Sequence, residues 1–203
     1  MAFPAKTSEE QVLAVAAMLL ERQGPDGLTM AALADSIGIK APSLYKRFGC
    51  RADILHALER ISFDALGHRL ETHLRGTTGQ ETLWNLAQAY RGFVREHPRL
   101  YALAFAPDGL SQNVRKDLLF RALRGVRALF LALYPLDPVA RADQKAELFW
   151  CLMHGFVTLE QARLWPDPES LGLIEAGLTD SLTRLLPVAA VIEPAETLQM
   201  AEI

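Results

Sequence analysis

Apolar positions along this chain recur at intervals of three and four residues, and no segment alternates convincingly. That spacing is the signature of helices rather than strands. Breakers cut the pattern into helix-sized pieces: Gly24-Pro25-Asp26-Gly27, Gly38, Gly49, Gly76 to Gly79, Pro98, Pro107-Asp108-Gly109, Pro135 to Pro138, Pro166 to Pro168, and Pro187. The pieces predict an all-α chain of about nine helices. Their expected spans are 8–23, 29–36, 40–48, 51–74, 80–96, 98–106, 111–134, 139–165 and 168–186.

The first helix has Thr7 or Ser8 to cap it and Glu10 or Gln11 at the capping-box position. Leu13, Ala16, Ala17 and Leu20 are its expected stripe. The style changes near residue 50, with three short helices before it and long ones after it. Three units are expected: a three-helix module over 1–50, a larger helical bundle over 51–186, and a tail over 187–203.

Composition agrees with the pattern. Leu and Ala together number 63, against 16 for Val and Ile, a balance that favours helix. The longest apolar run, Val12 to Leu20, is far too short to span a bilayer. With no signal peptide visible and two cysteines a hundred residues apart, a reduced cytoplasmic protein is expected.

The formal net charge of −3 argues against an indiscriminate polybasic binder. Its distribution changes that picture. Residues 1–60 are neutral, yet Lys40, Lys46, Arg47 and Arg51 fall between 40 and 51 with no acid among them.

That basic cluster sits on a recognisable local pattern. Thr29 can cap a short helix, with Ala32, Leu33 and Ser36 expected inside. Gly38 can end the helix in a left-handed turn, and Pro42 fits the first turn of the next helix. Leu44 and Phe48, at i and i+4, face inward, which leaves Ala41, Ser43, Tyr45, Lys46 and Arg47 outward or sideways. This is a helix-turn-helix pattern, whose second helix enters the DNA major groove.

Residues 8–60 resemble the DNA-binding domain of the tetracycline-repressor (TetR) family of bacterial regulators. The matching residues are Leu28-Thr29, Ala32 with Leu33-Ala34, Gly38-Ile39, Ser43-Leu44-Tyr45, Phe48, and Arg51 with Ile54-Leu55. The resemblance implies phosphate contact from Thr29 and DNA contact from Tyr45 and Lys46. Arg47 stands where many relatives have histidine and Arg51 where they often have lysine, and both keep a phosphate donor. Lys40, Ala41 and Ser43 complete the expected DNA-binding set. A second stretch, Trp150 with His154 and Gly155, resembles a C-terminal subgroup named for Trp, His and Gly (WHG).

The resemblance implies a homodimer on a pseudo-palindromic double-stranded operator, released by a small-molecule effector, with repression the expected outcome. Candidate pocket residues are Phe63, Trp84, Phe93, Tyr101 and Phe105, then Leu119, Leu123, Trp150, Met153 and His154. Candidate interface residues are Phe156, Leu159, Leu171, Ile174, Leu178 and Leu182. Arg121, Arg124 and Arg127 lie opposite an apolar stripe and read as a solvated face.

Catalysis is not expected. Cys151 and His154 lack an orienting third group, His68 and His73 are poorly spaced for one helix face, and no metal or cofactor motif is present. The competing expectation is a helical protein-interaction module that has lost DNA binding.

Overall fold

A computed structural model describes residues 8–74, 79–107, 109–164 and 168–184, with backbone alone at 79, 80, 168–171 and 173. Ten helices and no strand occur among the described residues: α1 (Glu9–Gly27), α2 (Met30–Ile37), α3 (Ala41–Tyr45), α4 (Arg51–His73), α5 (Gly79–Glu96), α6 (Pro98–Leu103), α7 (Gln112–Ala122), α8 (Arg124–Leu133), α9 (Val139–Gln161) and α10 (Pro168–Thr183). None is long and apolar enough to cross a membrane. The expected tail over 187–203 lies outside the described residues.

The capping pair of α1 resolves to Ser8 and Gln11. The Gln11 N–H donates to Ser8 Oγ at 3.1 Å, and the Ser8 N–H donates to Gln11 Oε1 at 2.9 Å. The buried stripe is Val12, Ala16, Leu19 and Leu20, while Leu13 and Ala17 are only half-buried beside it. Gly24, at φ 77° and ψ 179°, breaks the helix before its last turn.

In α2 the buried residues are Met30, Leu33 and Ala34, whereas Ala32 is half-buried and Ser36 is exposed. The single helix expected over 111–134 is two. At Leu123 (φ −87°, ψ 3°) the chain bends, so that α7 packs on α4 and α8 packs on α9.

Helix α4 ties the molecule together because its buried face feeds three successive apolar clusters. Ile54 and Leu58 join Leu20, Leu33, Leu44 and Phe48, together with Leu100 and Leu103 of α6. Phe63 packs with Ala104, Leu118 and Ala122. Leu66 and Leu70 enter the large core of Leu86, Tyr90, Phe93, Phe130, Phe149 and Met153. At the α4–α7 crossing, Gly67 lies so close to the backbone of Ala122 that a Cβ there would come within 2.9 Å of Cα.

Candidate nucleic-acid interface and effector region

The turn between α2 and α3 follows from Gly38. At φ 75° and ψ 31° its N–H donates to Asp35 at 3.1 Å, and the Ile39 N–H reaches back to Ala34 at 3.0 Å. These two bonds satisfy carbonyls that the helix end would leave bare. Thr29 Oγ1 caps the other end by accepting from the Ala32 N–H at 3.1 Å. Its hydroxyl proton is left to donate, at an exposed helix N-terminus.

Helix α3 stops at Tyr45, earlier than the span expected, although one further turn carries the chain to Phe48 through the Phe48 N–H to Leu44 bond at 3.0 Å. Leu44 is fully buried and Phe48 nearly so. These anchors fix the opposite face outward. Lys40, Ser43, Tyr45 and Lys46 are exposed, and Ala41 is half-buried. Arg47 keeps Nη1 buried with no hydrogen-bond partner. Arg51 is placed differently: its guanidinium donates to the Leu28 carbonyl at 2.7 Å and to Pro25, joining the start of α4 to the end of α1.

The expected pocket residues do not share one cavity. Leu119 and Leu123 line a cleft of about 180 Å³ with Phe120, Ala146 and the Arg127–Asp143 ion pair. Trp84 and Met153 border a space of about 10 Å³, room for roughly one water. Phe63 lies on a polar cleft between α4 and α7, and Phe93 is core. Tyr101, Phe105, Trp150 and His154 do come together. His154 stacks on Trp150 at 5.3 Å and meets Phe105 at 4.5 Å. Its Nδ1 lies 2.5 Å from the Tyr101 hydroxyl, which in turn lies 2.8 Å from that of Tyr90.

Burial lowers the His154 pKa and raises those of Tyr90 and Tyr101, so all three are neutral at pH 7. At Gly155 an added Cβ would meet nothing within 4 Å. Cys151 is exposed, and no cluster of three or more metal-ligating side chains occurs among the described residues.

Of the expected interface residues, Phe156 and Leu182 are buried in the chain's own core, and Leu178 packs against it. Phe156 and Leu182 therefore offer almost no free surface, while Leu178 stays partly exposed. Leu159 and Ile174 are exposed, and the side chain of Leu171 lies outside the described residues.

Sequence reasoning missed two polar joints, one between the head and the bundle and one inside the bundle. Glu21 of α1 accepts the Arg99 and Leu100 N–H groups that open α6, at 3.2 and 2.8 Å. Glu59 of α4, 1% exposed, accepts from Arg115 and from the Leu110 N–H at 2.8 Å. A charged residue on the buried stripe of α4 was the available signal for Glu59. The arginines read as a solvated face are paired as well: Arg121 with Asp64, Arg124 with Glu71, and Arg127 with Asp143.

Comparison with known proteins agrees with this arrangement. Residues 12–58 match the family described as bacterial regulatory proteins, tetR family, and residues 83–180 match the tetracyclin repressor-like C-terminal domain. The chain is 32% identical over 188 residues to an uncharacterised HTH-type transcriptional regulator of Mycobacterium tuberculosis, covering 91% of this chain and 83% of that one. Its fold is similar to that of a Rhodococcus protein of unknown function (TM-score 0.73, 24% identity, 91% and 99% covered). It is also similar to a TetR variant from Acinetobacter baumannii in complex with minocycline (TM-score 0.60, 22% identity, 89% and 94% covered). A helix-turn-helix with basic residues flanking α3, a linking α4, a helical bundle and a relative matched over 91% of this chain lead to one assignment: this chain belongs to the TetR family, and is a DNA-binding transcriptional regulator rather than an enzyme.

Proposed function

We propose that this regulator works in the cytoplasm as a homodimeric repressor on a pseudo-palindromic operator, and that a small-molecule effector releases it. The observation that carries the reading is the outward face of α3. Ser43, Tyr45 and Lys46 stand clear while Leu44 and Phe48 hold the helix rigidly from behind. In this reading Ala41 and Ser43 admit the helix deep into the groove. Tyr45 and Lys46 reach base edges and phosphate, and Thr29, Lys40 and Arg47 bind the backbone. Arg51 contributes mainly by fixing the head against α4.

The dimer would form through the outward faces of α9 and α10, where Leu148, Leu159 and Ile174 are exposed beside the uncrowded Gly155, Gly172 and Gly177. The aromatic cluster around His154 is the proposed effector region, and the domain division follows: reading head over 1–50, effector-binding and dimerising bundle over 51–186. Release requires an effector that binds more tightly to the conformation whose heads are wrongly spaced.

Fluorescence anisotropy with labelled DNA from around the protein's own gene tests the reading. Sequence-preferring binding that Tyr45→Ala abolishes is expected. Binding without sequence preference, unchanged by Tyr45→Ala, would sink it.

A further inference from the structure

The effector reading leaves the ligand's chemistry open, and the hydrogen-bonded chain behind His154 narrows it. Three helices contribute. Trp150 of α9 brings a buried indole N–H beside the Tyr90 hydroxyl of α5, without a hydrogen bond of normal geometry. Tyr90 Oη lies 2.8 Å from Tyr101 Oη of α6, and Tyr101 Oη lies 2.5 Å from His154 Nδ1. Tyr90 is fully buried and Tyr101 is 2% exposed. Neither hydroxyl proton can go to bulk water, so each needs an acceptor inside the chain.

Only two directions are open. If Nδ1 carries the imidazole proton, His154 donates to Tyr101 and Tyr101 donates to Tyr90. Among the described residues the Tyr90 proton then has no acceptor within hydrogen-bond distance, because the indole N–H beside it is donor only. Two protons would face each other in a buried gap. If Nδ1 is bare, Tyr90 donates to Tyr101 and Tyr101 donates to Nδ1. The lone pairs of Tyr90 then turn toward the indole N–H, and every hydroxyl proton has an acceptor.

The second direction puts the proton of the neutral imidazole on Nε2. Among the described residues that atom has no hydrogen-bond partner, and it is not one of the fully buried polar atoms. The imidazole that carries it lies against the partly exposed rings of Trp150, at 5.3 Å, and Phe105, at 4.5 Å.

We propose that His154 reads the effector as a fixed Nε2–H donor. The ligand is a flat, largely apolar molecule that brings a carbonyl or carboxylate oxygen to Nε2 while its body rests against Phe105 and Trp150. An ammonium group has only protons to offer and is turned away. The ligand class rests on the effector-responsive reading, whereas the tautomer does not.

The tautomer can be measured with no ligand present, from long-range proton–nitrogen correlation spectra of the full chain labelled at histidine, at neutral pH. A protonated Nε2 and a bare Nδ1 are expected for His154. A protonated Nδ1 would overturn the proposal. Tyr101→Phe removes the donor to Nδ1, so the folded variant should show a mixture of tautomers, and an unchanged Nε2–H state would overturn the chain as its cause.

Ligand class is then tested with benzoate, acetophenone and benzylamine, which share a ring and differ in head group. Benzoate or acetophenone should shift the His154 signals saturably, and which of the two binds more tightly separates a charged acceptor from a neutral one. A shift with benzylamine as large as theirs, or none with either acceptor up to its solubility, would overturn the ligand class. If benzoate binds at His154 but never releases DNA, the effector-responsive reading fails while the donor assignment stands.

Discussion

At the scale of single residues, the environment of His154 makes a pH prediction with a definite sign. Burial holds its folded pKa below the ordinary 6.5. As pH falls below 6.5 the unfolded chain takes up a proton that the folded chain refuses. The contribution to stability is therefore full above 6.5, declines down to the folded pKa and is constant beyond it. His154→Gln retains an acceptor for Tyr101 and should flatten that stretch of the Tm-against-pH curve. An unaltered slope would assign the titration to another group. Gly38 gives a second test, since at φ 75° any side chain is strained. Gly38→Ala should cost about 1 kcal/mol in denaturant unfolding, with little change in the slope m. This position was legible in the sequence because a glycine between two short helices has few other reasons to be there. Arg51 was not, because charge alone does not say whether a guanidinium faces phosphate or two carbonyls of its own chain.

At the scale of elements, the spans of most helices could be read from periodicity and caps, yet their mutual placement could not. Arg121, Arg124 and Arg127 show why. Periodicity places them off the apolar stripe but cannot supply the carboxylates that α4 and α9 bring opposite them. Glu59 is the sharpest case. Its carboxylate is buried among helices and holds both Arg115 and the Leu110 N–H. Glu59→Ala should cost about 3 kcal/mol, because it leaves a largely buried guanidinium without its counter-charge. The measurement is thermal unfolding, and a loss below about 1 kcal/mol would mean that water replaces the carboxylate. Gly67→Ala probes the neighbouring contact. The Cβ meets backbone, which cannot rotate away, so a loss of roughly 1–3 kcal/mol by overpacking is expected in the same experiment.

At the scale of the whole molecule, the surplus apolar surface of α9 and α10 and the isolated basic face of α3 require each other in the proposed function. One short reading helix offers few contacts, and a two-fold axis doubles them in a fixed spacing. The sequence showed that α9 carries more apolar residues than one face needs, but it could not say which of them the core would absorb. The core takes Phe149, Met153 and Phe156, and leaves Leu148 and Leu159 outside. The double substitution Leu159→Glu with Ile174→Glu should therefore give a folded monomer by sedimentation equilibrium, with operator affinity reduced by about 10²-fold or more. If that variant stays dimeric, the interface lies elsewhere. The salt dependence of binding gives an independent count of the heads engaged. Arg47→Ala should weaken all sequences alike and reduce the log–log salt slope by about 1 per subunit, hence about 2 for a dimer. A slope change near 1 would mean that only one head touches DNA at Arg47. A change of sequence preference would move Arg47 from the phosphates to the bases, the role proposed for Ser43 and Lys46.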